Sequence, residues 1–346
     1  MRFLIVRLGA LGDIVHAVPV ASALRRAWPD AEIDWLVSAK HREILDLVPA
    51  VTNLIVVNDR REGSGGLSLL GAVRAMRGRR YDVALDLQGL LKSAVLARLS
   101  GARRVIGFSS QYAREPLASR FYTETYAPGG AGLRQSGPIQ HVVRANLGMV
   151  ERLGMSAGEP EFGLRIVRSP AVERTLAGIG RRYALLNVGA AWPNKRWPAS
   201  RFAALARALH ERHGLPSLVL WGPAERELAD EVVGKAGGAA TAAPQTTIAD
   251  IAAFAFGAAV MVSGDTGPTH IASAVGTPLV GIYGPTRPER NGPLGRDDES
   301  VSRAAVCQCH HLRQCKLQRM CLLDIEVPEV LAAVERRLAA TERHRG

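Results

Sequence analysis

Twice along this 346-residue chain, short apolar runs of strand length alternate with segments of helical spacing. The first series holds RFLIV (2–6), EIDWLVS (32–38), NLIVVN (53–58), YDVALDLQ (81–88) and RRVIGF (103–108). Helices are predicted between them, at VASALRRAW (20–28), REILDLV, LLGAVRAMRGRR and LLKSAVLARLSG. The second series holds YALLNVG (183–189), SLVLWG (217–222), AAVMVSG (258–264) and PLVGIYG (278–284), with FAALARALHERHG and ADIAAFAFG as helices. Strands separated by helices of this length form a parallel sheet covered by helices on both faces. The pattern therefore predicts an α/β chain with two doubly wound, Rossmann-like domains, over residues 1–165 and 175–325. REGSGGLS (61–68) and ETYAPGGAGLRQSGP (124–138) read as loops, IQHVVRANLGMVERLG as a helix, and SAGEPEFGLRIVRSP (156–170) as the linker. The tail 326–346 is one amphipathic helix, expected to pack back towards the N-terminal domain. Ligands of such sheets bind beyond the carboxyl ends of the strands.

Two loops of the second series lie at such ends. In VMVSGDTGPTHIASAVGTP the strand runs into Gly264-Asp265-Thr266-Gly267, and Pro268 suits a first helical turn. The amides of Thr266 and Gly267 then point out of a helix N-terminus, an anion site fit for phosphate, with the Thr266 hydroxyl beside it. Asp265 suits sugar hydroxyls better than phosphate. The alternative is that Asp265 and Thr266 only cap the helix and that His270 is a packed core histidine. In YALLNVGAAWPNKRWP, Gly189 and Ala190 let a ligand approach the backbone, and Lys195 sets a point charge against a phosphate oxygen. Its alternative is a solvated loop lysine. Two anion-seeking loops in one domain suggest a diphosphate. Glu225, in WGPAERE, is placed to take ribose hydroxyls.

VRLGALGDIVHAVP (6–19) sets Asp13 directly after the first strand. Three readings compete: a dinucleotide loop, a helix cap, and a catalytic base. GALG does not make a G-x-G-x-x-G fingerprint, which weakens the first. The third needs Asp13 at the carboxyl end of the strand, in the crevice, where it takes a proton from an acceptor hydroxyl.

The net charge of +12 favours polyanionic partners: nucleic acid, anionic lipid or a phosphorylated glycolipid. The plain alternative is an arginine-rich composition with no such partner. No apolar stretch is long enough to span a bilayer, and MRFLIVRLG is too short for an export signal, so a cytoplasmic location is expected. Cys307, Cys309, Cys315 and Cys321 are the only cysteines. In a cytoplasmic chain this clustering argues against a disulfide framework, and four thiolates can hold Zn or Fe, although the spacing is not that of a standard finger.

RLGALGDIVHAVPVASALRRAWPDAEIDWLV, LDLQGLLKSAVLARL, AREPLASRFY, NKRWP and GDTGPTHIASAVGTPLVGIYGPT together resemble the bacterial lipopolysaccharide heptosyltransferases, over nearly the whole chain. AREPLASRFY resembles the enzymes that add the first heptose to the Kdo region. GAAWPNKRWP, with Ala190 and Ala191 in place of threonines, is closer to those that add the second, which leaves the acceptor open between Kdo, heptose and protein. The resemblance implies the GT-B architecture, two Rossmann-like domains facing across a cleft, and an inverting transfer from ADP-L-glycero-D-manno-heptose that needs no metal or other cofactor. It implies Asp13 as general base and Lys195 on the diphosphate and sugar. Asp265 falls to the heptose hydroxyls, Thr266 and Gly267 to the phosphate, with His270 in the same motif. Glu225 fits the ribose position and Thr246 the adenine pocket. Gly12, Gln88, Lys92, Arg114 and Arg120 are implied on the acceptor side. The implied acceptor is an anionic Kdo–lipid A type glycolipid, met by a peripheral enzyme at the inner face of the inner membrane, with no nucleic acid partner. Cysteine clusters near this point of the chain resemble those of heptosyltransferase II and of iron-binding protein heptosyltransferases, so a structural metal is expected far from the transfer. Two rivals remain: a nicotinamide-dependent oxidoreductase, whose fingerprint and catalytic set are not found, and a non-catalytic binder of nucleotide sugars or nucleic acid.

Overall fold

A computed structural model describes residues 1–58, 66–133, 135, 137–310, 312–315 and 317–344. The chain divides into two compact units, Met1–Arg165 and Ile166–Gly346. The division falls inside the expected linker, whose end already starts the second unit: Ser169 caps a helix that begins at Pro170, accepting from the Val172 amide at 3.3 Å. Of the expected loop 61–68, residues 61–65 lie outside the described part.

Unit 1 contains β1 (Arg2–Val6), α1 (Leu11–Val15), α2 (Val18–Ala27), β2 (Glu32–Ser38), β3 (Asn53–Val57), α3 (Leu69–Arg79), β4 (Val83–Asp86), α4 (Leu91–Leu99), β5 (Arg104–Phe108), β6 (Glu124–Tyr126) and α5 (Val142–Leu147). The six strands lie in the order β3-β2-β1-β4-β5-β6, all parallel. β1 is central because Phe3, Leu4, Ile5 and Val6 are all fully buried, between helices on both faces. Each such side chain stabilises the fold by about 1.5–3 kcal/mol through removal from water. REILDLV belongs to a run of 3₁₀ turns, Ala39–Leu47, rather than to an α-helix, and the helix expected from 139 is six α-helical residues followed by 3₁₀ turns over Gly148–Leu153.

Unit 2 contains α6 (Pro170–Ile179), β7 (Ala184–Asn187), α7 (Ala199–His213), β8 (Ser217–Leu220), α8 (Arg226–Lys235), β9 (Ala240–Ala242), α9 (Ile248–Gly257), β10 (Val260–Gly264), α10 (Gly267–Ala274), β11 (Leu279–Tyr283), α11 (Pro288–Asn291), β12 (Glu299–Ser302) and α12 (Val327–Arg343). Its order, β12-β11-β10-β7-β8-β9, repeats that of unit 1 read from the other edge. In both sheets the direction of winding reverses beside the first strand of the unit. The switch point therefore lies between β1 and β4 in unit 1 and between β7 and β10 in unit 2, and a crevice opens there beyond the strand ends.

Sequence reading misses β6, β9 and β12. β6 falls in the segment read as a loop, and all three are edge strands of three or four residues with no apolar run to mark them. The C-terminal segment forms α12. α12 lies on β10, β11, β12 and α7 within unit 2, burying Val330, Leu331, Val334 and Leu338 there. The approach to it is fixed by the Trp197 indole, which donates to the Ile325 carbonyl at 2.8 Å. The helix thus covers the outer face of its own sheet, which would otherwise stand open beside α7. Among the described residues no helix is long and apolar enough to cross a membrane.

Candidate active site

At the switch point of unit 1, β1 ends at Val6 and α1 begins at Leu11. Asp13, at the third position of α1, accepts at 3.2 Å from the amide of Ala10, so Ala10 and not Asp13 is the N-cap, because the helix already begins at Leu11. The same oxygen, Oδ2, takes two guanidiniums: Arg7 Nη2 at 2.9 Å and Arg114 Nη2 at 2.9 Å. Arg7 is 3% exposed, and its Nη1 donates to the Leu87 carbonyl at the end of β4. Burial lowers the Arg7 guanidinium to about 10, against the opposing pull of Asp13. Burial also works against the charge on Asp13, but Arg7 and Arg114, with His16 behind them, hold its carboxyl well below the usual carboxylate range. The side chain keeps 20% exposure, so a carboxylate that is always ionised still meets solvent.

Gln88 sits across the same switch point, its Oε1 accepting from the Leu8 amide at 2.7 Å. It thereby ties the end of β4 to the loop carrying Asp13. Beneath it, buried Asp86 accepts from the Gln88 amide at 2.9 Å, Ser93 Oγ at 2.8 Å and Tyr122 OH at 2.8 Å. Burial pushes the Asp86 carboxyl up, and these donors hold it back. Gly12 precedes Asp13 in α1. Of the cations expected on the acceptor side, Arg114 reaches Asp13. Lys92 lies exposed in the first turn of α4, and Arg120 exposed in the 3₁₀ turn Pro116–Phe121.

The switch point of unit 2 is built the same way. Asp265 follows β10 and is 9% exposed. Its Oδ2 pairs with Lys195 Nζ at 2.6 Å and its Oδ1 with His270 Nε2 at 3.1 Å. Burial disfavours this carboxylate too, yet His270 and Lys195 outweigh it and hold the group well below its ordinary range. Lys195 also stands over the Trp192 ring, 4.5 Å from its centroid. The close approach depends on Gly264, where a Cβ would come within 2.9 Å of the Lys195 carbonyl. His270 is thus buried and at the same time a partner of Asp265.

α10 starts at Gly267, with Pro268 in its first turn and Gly276, at a φ of +78°, just past its end. The Thr266 hydroxyl does not point free. It lies 3.0 Å from Asn187 Nδ2 and 2.9 Å from Thr269 Oγ1, and Asn187 Nδ2 also donates to Ser263 Oγ at 2.9 Å. This buried polar set locks the end of β7 to the turn before α10. Across β7, Glu225 takes the Gly222 amide at 2.9 Å and faces Arg196 at 3.6 Å. Its carboxylate packs so closely on Gly189 that a Cβ there requires the Glu225 side chain to move. Ala190 is buried, and its carbonyl accepts from Arg196 Nε at 2.8 Å. Thr246 lies partly buried ahead of Thr247, the N-cap of α9.

Cys307 and Cys309 are buried, Cys315 and Cys321 partly so, and none forms a disulfide. Cys309 Sγ lies 3.3 Å from Cys315 Sγ. Burial, with Cys307 and Cys315 adding to it, pushes the Cys321 thiol up to about 12. Among the described residues no group of three or more His, Cys, Asp or Glu side chains is arranged to hold a metal ion.

Sequence reasoning overlooked Arg7, Asn187, Ser263 and Thr269. Asn187 and Ser263 had a readable signal, since each is a polar residue at the carboxyl end of an otherwise apolar central strand.

Residues 70–321 match the family model for glycosyltransferase family 9 (heptosyltransferase). The chain is 33% identical over 326 residues to lipopolysaccharide heptosyltransferase 1 of Pseudomonas aeruginosa, covering 92% of this chain and 88% of that protein. It is 29% identical over 312 residues to lipopolysaccharide heptosyltransferase 1 of Escherichia coli K12, covering 88% of this chain and 94% of the other. Among solved structures, E. coli heptosyltransferase WaaC with ADP-2-deoxy-2-fluoro heptose superposes with a TM-score of 0.73 at 25% identity, over 97% of this chain and 99% of that one. Two six-stranded parallel sheets of one winding order, a matching family model and a relative similar over almost the full length agree: the chain belongs to glycosyltransferase family 9, the heptosyltransferases.

Proposed function

We propose that this enzyme transfers heptose, with inversion, from ADP-L-glycero-D-manno-heptose to the Kdo region of the lipopolysaccharide inner core. The observation that carries the reading is the pair of carboxylate–cation sites at the two switch points, Asp13 with Arg7 and Arg114, and Asp265 with Lys195 and His270. The heptosyltransferase 1 relatives support Kdo over the alternative acceptors, heptose or a protein.

In this reading the acceptor hydroxyl oxygen attacks the anomeric carbon from the face opposite the diphosphate. The new C–O bond forms as the bond to the ADP oxygen breaks, and the hydroxyl proton passes to Asp13. Lys195 and the amides of Thr266 and Gly267 meet the charge growing on the departing diphosphate. For this Lys195 shares or leaves its contact with Asp265, which then turns to heptose hydroxyls. Glu225 takes the ribose, and Thr246 lies by the adenine. Arg114 moves to an anionic group of the acceptor, which relieves Asp13 of one cation and makes it a stronger base. Gly12, Gln88, Lys92 and Arg120 complete the acceptor side, and contact with the inner membrane surface belongs to the same reading. No step uses a metal. A structural Zn or Fe at the four cysteines belongs to the same reading; Cys309 lies beside Cys315 and Cys321 beside Cys307, and elemental analysis of purified protein is its check.

The test is to incubate the enzyme with ADP-heptose and Kdo-bearing lipid A and to follow ADP release and the mass of the glycolipid. A gain of one heptose on Kdo is expected. Heptose on heptose-bearing or protein acceptors alone, or no ADP release, overturns the assignment.

A further inference from the structure

Unit 1 carries an apolar groove that a soluble domain has no structural use for. Its volume is about 950 Å³, between α3, α4 and the turn after Glu115. α3 packs on the sheet through Ala72 and Met76, and turns Leu69, Leu70 and Val73 outward. α4 packs through Ala94, Leu96 and Ala97, and sets Leu91, Val95 and Leu99 along one outer stripe, four residues apart. Leu117 closes the groove from the third side. Leu70 is 72% exposed and Leu117 54%. Five of the eleven exposed large apolar side chains among the described residues line this one groove, so the exposure is concentrated rather than scattered.

The charge around it has one sign. α3 carries Arg74, Arg77 and Arg79, α4 carries Lys92 and Arg98, and neither helix contains an acidic residue. Glu115 is the one carboxylate in the lining, and it is engaged by the Leu91 amide at 2.5 Å. An apolar strip between two cationic helices is complementary to anionic headgroups over acyl chains. The groove is also continuous in the chain with the acceptor-side site: Arg114, which holds Asp13, directly precedes Glu115.

We propose that this groove is the surface by which the enzyme docks on an anionic lipid bilayer, with Leu70 and Leu117 entering the acyl boundary and the α3 and α4 cations lying on the headgroups. The inference rests on the reading of the acceptor as a lipid-linked glycan and deepens it. A bilayer held at α3, α4 and the turn brings a glycan anchored in that bilayer to the side of the domain where Arg114 and Asp13 stand.

The experiment is co-sedimentation of the full-length protein with vesicles of phosphatidylethanolamine and phosphatidylglycerol, and with vesicles of phosphatidylcholine. It needs neither donor nor acceptor, so its result stands apart from the assay of transfer. Binding is expected to the anionic vesicles only, and to weaken as salt is raised. Leu70→Asp with Leu117→Asp is expected to cut partitioning roughly tenfold or more, on the scale of losing a buried leucine. Arg74→Glu with Arg98→Glu is expected to cut it comparably. All four positions are surface ones, and a delipidated, Kdo-bearing soluble acceptor should be turned over by these variants at the wild-type rate, which also shows that they are folded. Equal binding to both vesicle types, or full binding by both double variants, overturns the proposal. So does a lipid-free dimer that Leu70→Asp dissociates, because the groove would then belong to a second copy of the chain.

Discussion

Arg114 Nη2 and Asp13 Oδ2 lie 2.9 Å apart, and Arg7 reaches the same oxygen from the buried side at the same distance. One carboxylate oxygen thus serves a buried cation and a partly exposed one. Arg7 is 3% exposed and tied to the Leu87 carbonyl, whereas the Arg114 side chain is 37% exposed. The pairing keeps Asp13 ionised, and its basicity low, for as long as Arg114 stays.

This sets the pH profile. The Asp13 carboxyl is held below the ordinary range, so in the wild type the acid limb of kcat/KM that it governs lies below the usual carboxylate values. Arg114→Ala removes one cation. The carboxyl then rises, and the limb moves to higher pH in the same sense. Activity at low pH is lost first in the variant. Superimposable acid limbs in the two proteins would show that Asp13 is not the titrating base.

Asp13→Asn keeps the shape and most hydrogen bonds of the side chain but cannot accept the proton. The expected loss in kcat is roughly 10²–10⁴-fold, with ADP-heptose affinity by calorimetry unchanged. The substitution also leaves the Arg7 guanidinium buried without a counter-charge, so the melting temperature should fall as well. A variant with wild-type turnover would falsify the base assignment, whatever its stability.

Lys195 and His270 share Asp265 between them. Lys195→Ala is expected to lower kcat/KM for the donor by about 10²–10³-fold, as for loss of one preorganised group on a leaving anion. It also removes a cation from a carboxyl held below its ordinary value. A depressed folded-state value contributes stability that is present above the unfolded value of about 4 and lost as pH falls through the folded one. Lys195→Ala raises the folded value, so this contribution is smaller and is fully lost at a higher pH; with less stability in reserve, the variant's acid transition followed by circular dichroism should have its midpoint at a higher pH than that of the wild type. Coincident acid transitions in the two proteins would argue that Lys195 contributes little to that carboxylate.

At Gly189 the constraint is steric. Any Cβ there overlaps the Glu225 carboxylate, which is held by the Gly222 amide. Gly189→Ala should displace Glu225 and raise KM for ADP-heptose roughly tenfold, the scale of a lost hydrogen bond to a charged group, with kcat much less affected. Glu225→Ala should do the same, and the double variant should be no worse than either single one. Additive losses would mean that Gly189 acts on the donor by another route.

How far all this was legible in the sequence depended on where the information lay. β1, β2, β7, β8, β10 and β11 are visible as runs because nearly every position is buried and must be apolar, and the half-buried edge strand β3 still shows through its five-residue run NLIVV. β6, β9 and β12 pair on one side only and are too short for a run, so residues such as Glu124 and Thr241 hide them. Asp265 and Lys195 stand out as loop residues at strand ends, yet their mutual contact joins positions seventy apart, and no local pattern specifies it. Arg7 is harder still. An arginine is expected at the surface, and only the fold shows that this one is enclosed beside Asp13.

The C-terminal helix gives the last test, because it separates packing from chemistry. α12 turns Val330, Leu331, Val334 and Leu338 onto the core of unit 2, where Leu331 is 5% exposed and Val334 fully buried. None of these residues belongs to the loops at the switch points. Leu331→Ala removes buried methyl groups from a packed layer, which costs about 2–5 kcal/mol and should lower the urea midpoint at an unchanged slope. The donor loops rest on the same sheet through β10, so at temperatures where the variant stays folded KM for ADP-heptose should be that of the wild type. A large rise in KM without a loss of stability would instead place α12 in donor binding, and the helix could then no longer be treated as cover for the sheet alone.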